Sequence, residues 1–138
     1  MRSFNVLLTA GAMLASASVT AGDVVVKIEN ITSAMYFTPI LGSAHRRSAD
    51  LFELGEPASE GVQALAEGGD VSGARADLES AGAATAASEA GLPPGESVYI
   101  RIPASRADRY LSVAAMLLPT NDGFMGLDSV RIPRERRS

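Results

Sequence analysis

The chain has 138 residues, 46% of them apolar, with one histidine, no cysteine, no tryptophan and a formal net charge of −4. Without cysteine there is no disulfide framework, no thiolate metal or iron–sulfur site and no cysteine nucleophile. A single imidazole excludes any site that needs two. No run reaches the ~20 apolar residues that span a bilayer, so an integral membrane protein is not expected. The length suits one domain.

The first 21 residues, MRSFNVLLTAGAMLASASVTA, begin with a positive Arg2, continue through a small apolar stretch, and end in Val19-Thr20-Ala21. That is the layout of a secretory signal peptide, with cleavage expected after Ala21 and a periplasmic or secreted destination. An exported small domain without disulfides must be held by its core, its hydrogen bonds or a bound ion.

Residues 23–31, DVVVKIENI, alternate: Val24, Val26 and Ile28 point one way, Val25, Lys27 and Glu29 the other. Period two with β-branched residues predicts a strand. Residues 30–33 are turn-like, and 35–38 precede Pro39, which favours an extended edge or loop position. Leu51, Phe52 and Leu54 form a small apolar cluster closed by Gly55. Pro57-Ala58-Ser59-Glu60 opens a helix with Val62, Leu65 and Ala66 at helical spacing, and Gly68-Gly69 ends it. A second short helix follows, with Leu78 as its anchor. Residues 74–90 are mostly Ala, Ser, Gly and acids with little to bury, so that stretch is expected to be either weakly docked or mobile, and 55–91 to be an insertion on one rim of the fold.

After the punctuation GLPPG, SVYIRI (97–102) is the clearest strand, with Val98, Ile100 and Ile102 on one face. YLSVAAMLL (110–118) is another, presenting Leu111, Val113, Ala115 and Leu117 together. A loop over 120–123 and two short apolar runs, 124–127 and 129–132, complete the pattern. Strands flank a helical stretch without regular βαβ alternation, which predicts an antiparallel β-sandwich. The expected organisation is a signal peptide at 1–21, a domain at 22–130 carrying the 55–91 insertion, and a basic tail at 131–138.

Few residues carry chemistry. His45 could serve as a general base, but no serine or carboxylate stands at a recognisable nucleophile spacing. It is read as a structural histidine whose ring nitrogens fix a loop. Asp122 and Asp128 flank the loop in PTNDGFMGLD. Carboxylates there suit calcium, yet the dense spacing of an EF-hand is missing, and Asn121 and Asp122 alone more often make an Asx-turn than a metal site. The arginines at 131, 134, 136 and 137 sit on an otherwise acidic chain that would repel a polyanion, so no nucleic-acid partner is expected. No phosphate-binding, zinc-protease or serine-hydrolase motif is present.

Four blocks, FTPILGSAH (37–45), LFELGEPASEGVQALAEGGD (51–70), LPPGESVYIRI (92–102) and AAMLLPTNDGFMGLDSV (114–130), together resemble the spondin domain of exported bacterial proteins, distantly similar to F-spondin and mindin. The resemblance covers nearly all of the chain after residue 21. It implies a mainly β, C2-like antiparallel sandwich with a short helical insertion, no enzymatic activity, and a role in surface binding or adhesion toward an extracellular or envelope ligand. It also implies a calcium ion held by three aspartates, the first in an S-P-D-W-type loop that Asp122 matches. The other two belong to a downstream D-A-G-T-type loop after a further strand, and Asp128 matches no family ligand. Ser138 comes before any such loop. The expectation is therefore an incomplete calcium site and a sandwich lacking its last strands, with open edges. The ending RIPRERRS is either a true terminus or the product of an early stop or a shifted frame. Two other outcomes stay open: a hydrolase using His45 with Ser43 or Ser48, and a truncated product without independent function.

Overall fold

The computed structural model describes residues 22–133; the signal-peptide assignment and the last five residues of the basic tail lie outside them. The chain runs through β1 (Val24–Glu29), β2 (Tyr36–Phe37), β3 (Leu41–His45), α1 (Glu60–Gly68), α2 (Ser72–Ser80), β4 (Ala84–Ala87), β5 (Ser97–Ile102), β6 (Tyr110–Leu118) and β7 (Phe124–Arg131). Every strand pairing is antiparallel. The fold is the expected sandwich with a short helical segment.

β1 and β5 form a two-stranded sheet in which Val24 stands opposite Ile102 and Glu29 opposite Ser97. The larger sheet is built around β6, with β7 on one side and β2 and β3 on the other; β4 continues it beyond β3. β2 and β3 follow one another along the same edge of β6, interrupted at Pro39 because proline donates no ladder hydrogen bond. Thr38 bridges the gap: its N–H donates to Met116 O (3.1 Å), and its hydroxyl accepts from the Met116 N–H (3.0 Å).

Two apolar clusters lie on opposite faces of the larger sheet. Between the sheets, Phe37, Ile40, Ala44, Ile100, Ile102, Val113 and Ala115 are buried. On the far face, Leu41 and Ala114 meet Leu51, Val62, Leu65, Ala74 and Leu78. The alternation read in β1, β5 and β6 sorts these faces as expected, with Ser112, Ala114 and Met116 turned away from Leu111, Val113, Ala115 and Leu117.

The segment 55–91 is corrected from a rim insertion to a structural layer. α1 and α2 cover the outer face of the larger sheet, and β4, absent from the sequence expectation, pairs with β3. Ser59 caps α1 by accepting from the Val62 N–H, and Gly69 ends it in the left-handed region (φ 68°). α1 and α2 touch through glycine: a Cβ on Gly61 would lie 2.5 Å from Ala74 N. α2 itself buries only Ala74 and Leu78. Leu51 and Phe52 join the far-face cluster, whereas Leu54, grouped with them in the sequence, is 90% exposed.

The boundary at residue 130 also moves. Arg131 is the last residue of β7, and the Ile132 N–H donates to Arg109 O while its side chain packs on the inter-sheet core. The runs 124–127 and 129–132 are one bulged strand, not two.

Helix propensity favours alanine over glycine by about 1 kcal/mol, so the two glycines of α1 make a sharp test. Gly68→Ala meets no atom within 4 Å and is expected to hold or raise Tm. Gly61→Ala is expected to lower Tm despite the same propensity gain, because the backbone of α2 fills the space. Thermal melts of the two variants measure both signs.

Candidate functional site

Thr85 on β4, Ser43 on β3 and Ser112 on β6 stand in register across the larger sheet, on the face under the helices. Hydroxyls rather than aliphatics occupy this row, and charged groups close both of its ends. At the β4 end, Arg75 Nε lies 3.0 Å from both Glu79 Oε1 and Thr85 Oγ1, and the Thr85 hydroxyl donates to Glu79. The Thr85 hydroxyl first, and then Arg75, holds the Glu79 carboxyl below its ordinary value. Asp70, at the start of α2, is lowered in the same sense by the Ser72 hydroxyl and then by the Ser72 N–H.

At the other end β7 carries a bulge. Between Leu127, opposite Val113, and Val130, opposite Leu111, the residues Asp128 and Ser129 both face the single Ser112. Ser129 takes a positive φ of 52°. Ser112 Oγ accepts from the Ser129 N–H (3.0 Å) and donates to Asp128 Oδ1 (3.0 Å), which also accepts from the Leu51 N–H (2.7 Å). His45 completes the group: Nε2 lies 2.7 Å from Ser112 Oγ, and Nδ1 lies 2.8 Å from Arg46 O. Its ring is fully buried and stacks on Tyr110 at 6.3 Å.

Both ring nitrogens of His45 thus face hydrogen-bond partners, one of them the backbone of the loop that follows β3. Neither Ser43 nor Ser48 meets the ring. Ser48 is exposed, and Ser43 Oγ is the one buried side-chain polar atom among the described residues without a hydrogen-bond partner. A histidine, a serine and a carboxylate do converge, but in an order unsuited to acyl transfer. A catalytic triad places the carboxylate on Nδ1 to orient the imidazole; here a backbone carbonyl occupies Nδ1, and the carboxylate holds the hydroxyl. Ser112 is fully buried, so no substrate carbonyl reaches it.

The hydrogen inventory of this group is tight. Nδ1 faces a carbonyl, which only accepts, so Nδ1 carries hydrogen. Ser112 has one hydroxyl hydrogen and two claimants for it, Nε2 and Asp128. It is directed to Asp128 Oδ1.

Asp122 lies elsewhere, exposed in the loop between β6 and β7. That loop is closed by Thr120 rather than by an Asx-turn: the Thr120 hydroxyl donates to Leu117 O and accepts from the Gly123 N–H. Among the described residues no three His, Cys, Asp or Glu side chains gather as a metal site. Calcium takes six to eight oxygens, and Asp122 alone is a poor fit to that demand. The unanticipated residues are Ser112 and Asp128, the latter considered in the sequence only as a metal ligand. Periodicity gave no signal for a pairing 67 residues apart.

Three outcomes check this description. Ser43→Ala removes a hydroxyl with no partner and is expected to be neutral or stabilising by up to about 1 kcal/mol, whereas Ser112→Ala strands His45 and Asp128 and should cost about 2 kcal/mol or more in denaturant melts. Asp128→Ala, which strips the Leu51 N–H and the Ser112 hydroxyl of their shared acceptor, should likewise lower Tm. A lowered carboxyl stabilises the fold above its unfolded value and ceases to do so as pH falls through its folded one. Thr85→Val should therefore lower Tm near neutrality, and the deficit should narrow as pH drops below the ordinary glutamate value of 4.5.

A search of curated proteins found no match to the chain. The Spondin_N family model matches residues 29–137, from the end of β1 through β7 and past it. The match takes in both sheets, the helical layer and the His45–Ser112–Asp128 group. The chain belongs to the spondin N-terminal domain family.

Proposed function

We propose that this protein is an exported, non-enzymatic spondin-domain module that works by binding at the cell surface, in the envelope or outside the cell. The observation that carries this reading is the family assignment over 29–137. The histidine geometry supports it. The lone imidazole, the natural centre for a hydrolytic site, spends both ring nitrogens on holding the fold. Among the described residues no helix is long and apolar enough to cross a membrane. The N-terminal 21 residues supply the export signal in this reading, with cleavage after Ala21.

Calcium enters as a subordinate proposal. Asp122 would contribute one carboxylate and neighbouring loop carbonyls the rest, and calcium affinity follows ligand count and charge, so binding at millimolar concentration is the most such a loop supports.

Two measurements test these statements. Fractionation of cells expressing the full chain should place it outside the cytoplasm, with Gly22 as the N-terminal residue of the recovered protein; an intact Met1 in the cytoplasm would sink the export reading. Calorimetric titration with calcium should give a weak heat that Asp122→Ala abolishes without lowering Tm. No heat from the wild-type protein leaves Asp122 as a loop residue only.

A further inference from the structure

The formal charge of −4 is an average over a surface that segregates its charges. Across the helical layer, seven carboxylates from Glu53 to Glu79 are exposed against Arg75 alone. The sandwich sorts the other way: apart from Lys27, its Lys and Arg side chains among the described residues gather at one end. At that end β3 finishes and β6 begins, with His45 opposite Tyr110, and β7 finishes with Arg131 opposite Tyr110. β1 also starts there, Val24 facing Ile102 at the close of β5. Arg46 and Arg47 follow β3, and Arg106 and Arg109 precede β6. The Arg109 N–H donates to His45 O, and Arg109 O accepts from the Ile132 N–H, which sets the three segments side by side.

Few acids offset this end. Arg101 pairs with Asp23 at 3.7 Å, and the other ion pair among the described residues is Arg75 with Glu79. Asp108 accepts from the Ser105 N–H and hydroxyl, and Asp128 is turned to Ser112 and the Leu51 N–H. Arg46, Arg47, Arg106 and Arg131 are exposed, without an ion-pair partner among the described residues. The rest of the sequence does not neutralise them. Both ends of the described chain lie here: Gly22 sits so close to the loop before β6 that a Cβ would be 2.5 Å from Ala104 O, and Pro133 follows Ile132. Beyond them, residues 1–21 hold Arg2 and no acid, and residues 134–138 hold three arginines and one glutamate.

We propose that this arginine end docks the domain on the phosphate headgroups of an anionic lipid bilayer, as a peripheral contact. Guanidinium groups stay charged and grip phosphate through paired N–H donors. Arginines supplied by separate loops suit a broad sheet of phosphates better than one small anion. The acidic helical layer lies on a side of the sandwich, so an anionic surface attracts the domain end-on and repels it side-on. The proposal rests on the export reading and deepens it. Residues 1–21, which engage the exporting membrane in that reading, start from the arginine end, so lipid phosphate is the first anion this end meets. A second copy fits less well, because an arginine end set on another copy's helical layer does not close and would propagate as a filament.

The test is co-sedimentation of the protein recovered from cells expressing the full chain with two kinds of vesicle. One is phosphatidylcholine alone, the other phosphatidylcholine with about 30% phosphatidylglycerol. Only the anionic vesicles should bind, and salt at about 1 M, where charges are screened within ~3 Å, should release the protein. Arg47→Gln, Arg106→Gln and Arg131→Gln should each weaken binding about fivefold, and together about a hundredfold, with Tm retained. The single variants decide if the triple one fails to fold. Lys27→Gln removes the same charge from the outer face of β1 and should leave binding unchanged. The proposal is overturned by absent binding to anionic vesicles, by equal binding to neutral ones, or by equal loss in Lys27→Gln. Binding that survives the three arginine substitutions also overturns it and assigns the contact to residues 134–138. A single-stranded oligonucleotide bound more tightly than the vesicles at equal phosphate would make the ligand a soluble polyanion instead. Self-association without vesicles, lost in the triple variant, would make a second copy the occupant. None of these outcomes touches export, which the fractionation reads separately.

Discussion

One hydroxyl, that of Ser112, sets the register of the side of the sandwich where β7 ends. Two residues of β7 face it where an unbulged strand would place one, and it engages both, accepting from the Ser129 N–H and donating to Asp128. A non-glycine residue in the left-handed region costs on the order of 1 kcal/mol, and the hydrogen bond to Ser129 offsets it in place. The extra residue shifts the phase of β7, so that Leu127 and Val130, three apart in sequence, face the same side. Asp128 then captures the Leu51 N–H and ties the descending chain to the sheet, where Leu51 and Phe52 enter the far-face cluster.

His45 makes that arrangement rigid because it is reached from two directions. Nδ1 binds the carbonyl of Arg46, at the start of the loop that Asp128 holds at its other end, and Nε2 binds Ser112. A buried polar network stabilises only if its members are satisfied, and here each ring nitrogen, the serine oxygen and the bonded carboxylate oxygen has a partner. In a chain without cysteine this network joins β3, β6, β7 and the 46–51 loop, a cross-link made of hydrogen bonds. Ser43, on the same row but without a partner, shows that hydroxyls on this face are not satisfied merely by position.

The strands with an apolar alternation were legible, β6 among them although it is buried on both faces, and those without one were not. β1 and β5 each have one wet face, and their burial follows the period of two that the sequence displays. β3 is buried at all five positions and carries LGSAH, with no apolar period to detect. A Cβ on Gly42 would sit 3.1 Å from the Ile102 side chain, so residue size there is set by the approach of the other sheet, which a single sequence does not record. β4, with four small residues, escaped for the same reason. The resemblance located the block containing β3, but not its role as a central strand. At the site, His45 stood out as the lone imidazole, whereas its partner Ser112 sits in a strand whose neighbours are apolar. Asp128 could be seen only as a loop carboxylate, since the bulge that aims it exists only once β6 and β7 are paired.

The larger sheet is thus finished on one face and unfinished on the other, and the difference bears on how such a domain can bind. Under the helices, Gly61 and Gly73 bring the backbones together, and Leu65 and Leu78 are fully covered. That face is closed, and apart from the Ser43 hydroxyl the polar groups of its central row are committed to one another. Between the sheets the core is closed only under β5 and thins toward β1 and β7. Opening a cleft through the closed face would expose His45 and Asp128 to loss of their partners, at a cost comparable to the stability of a small domain. The histidine is therefore the costliest place in the fold to open, because the group it belongs to ties together β3, β6 and β7.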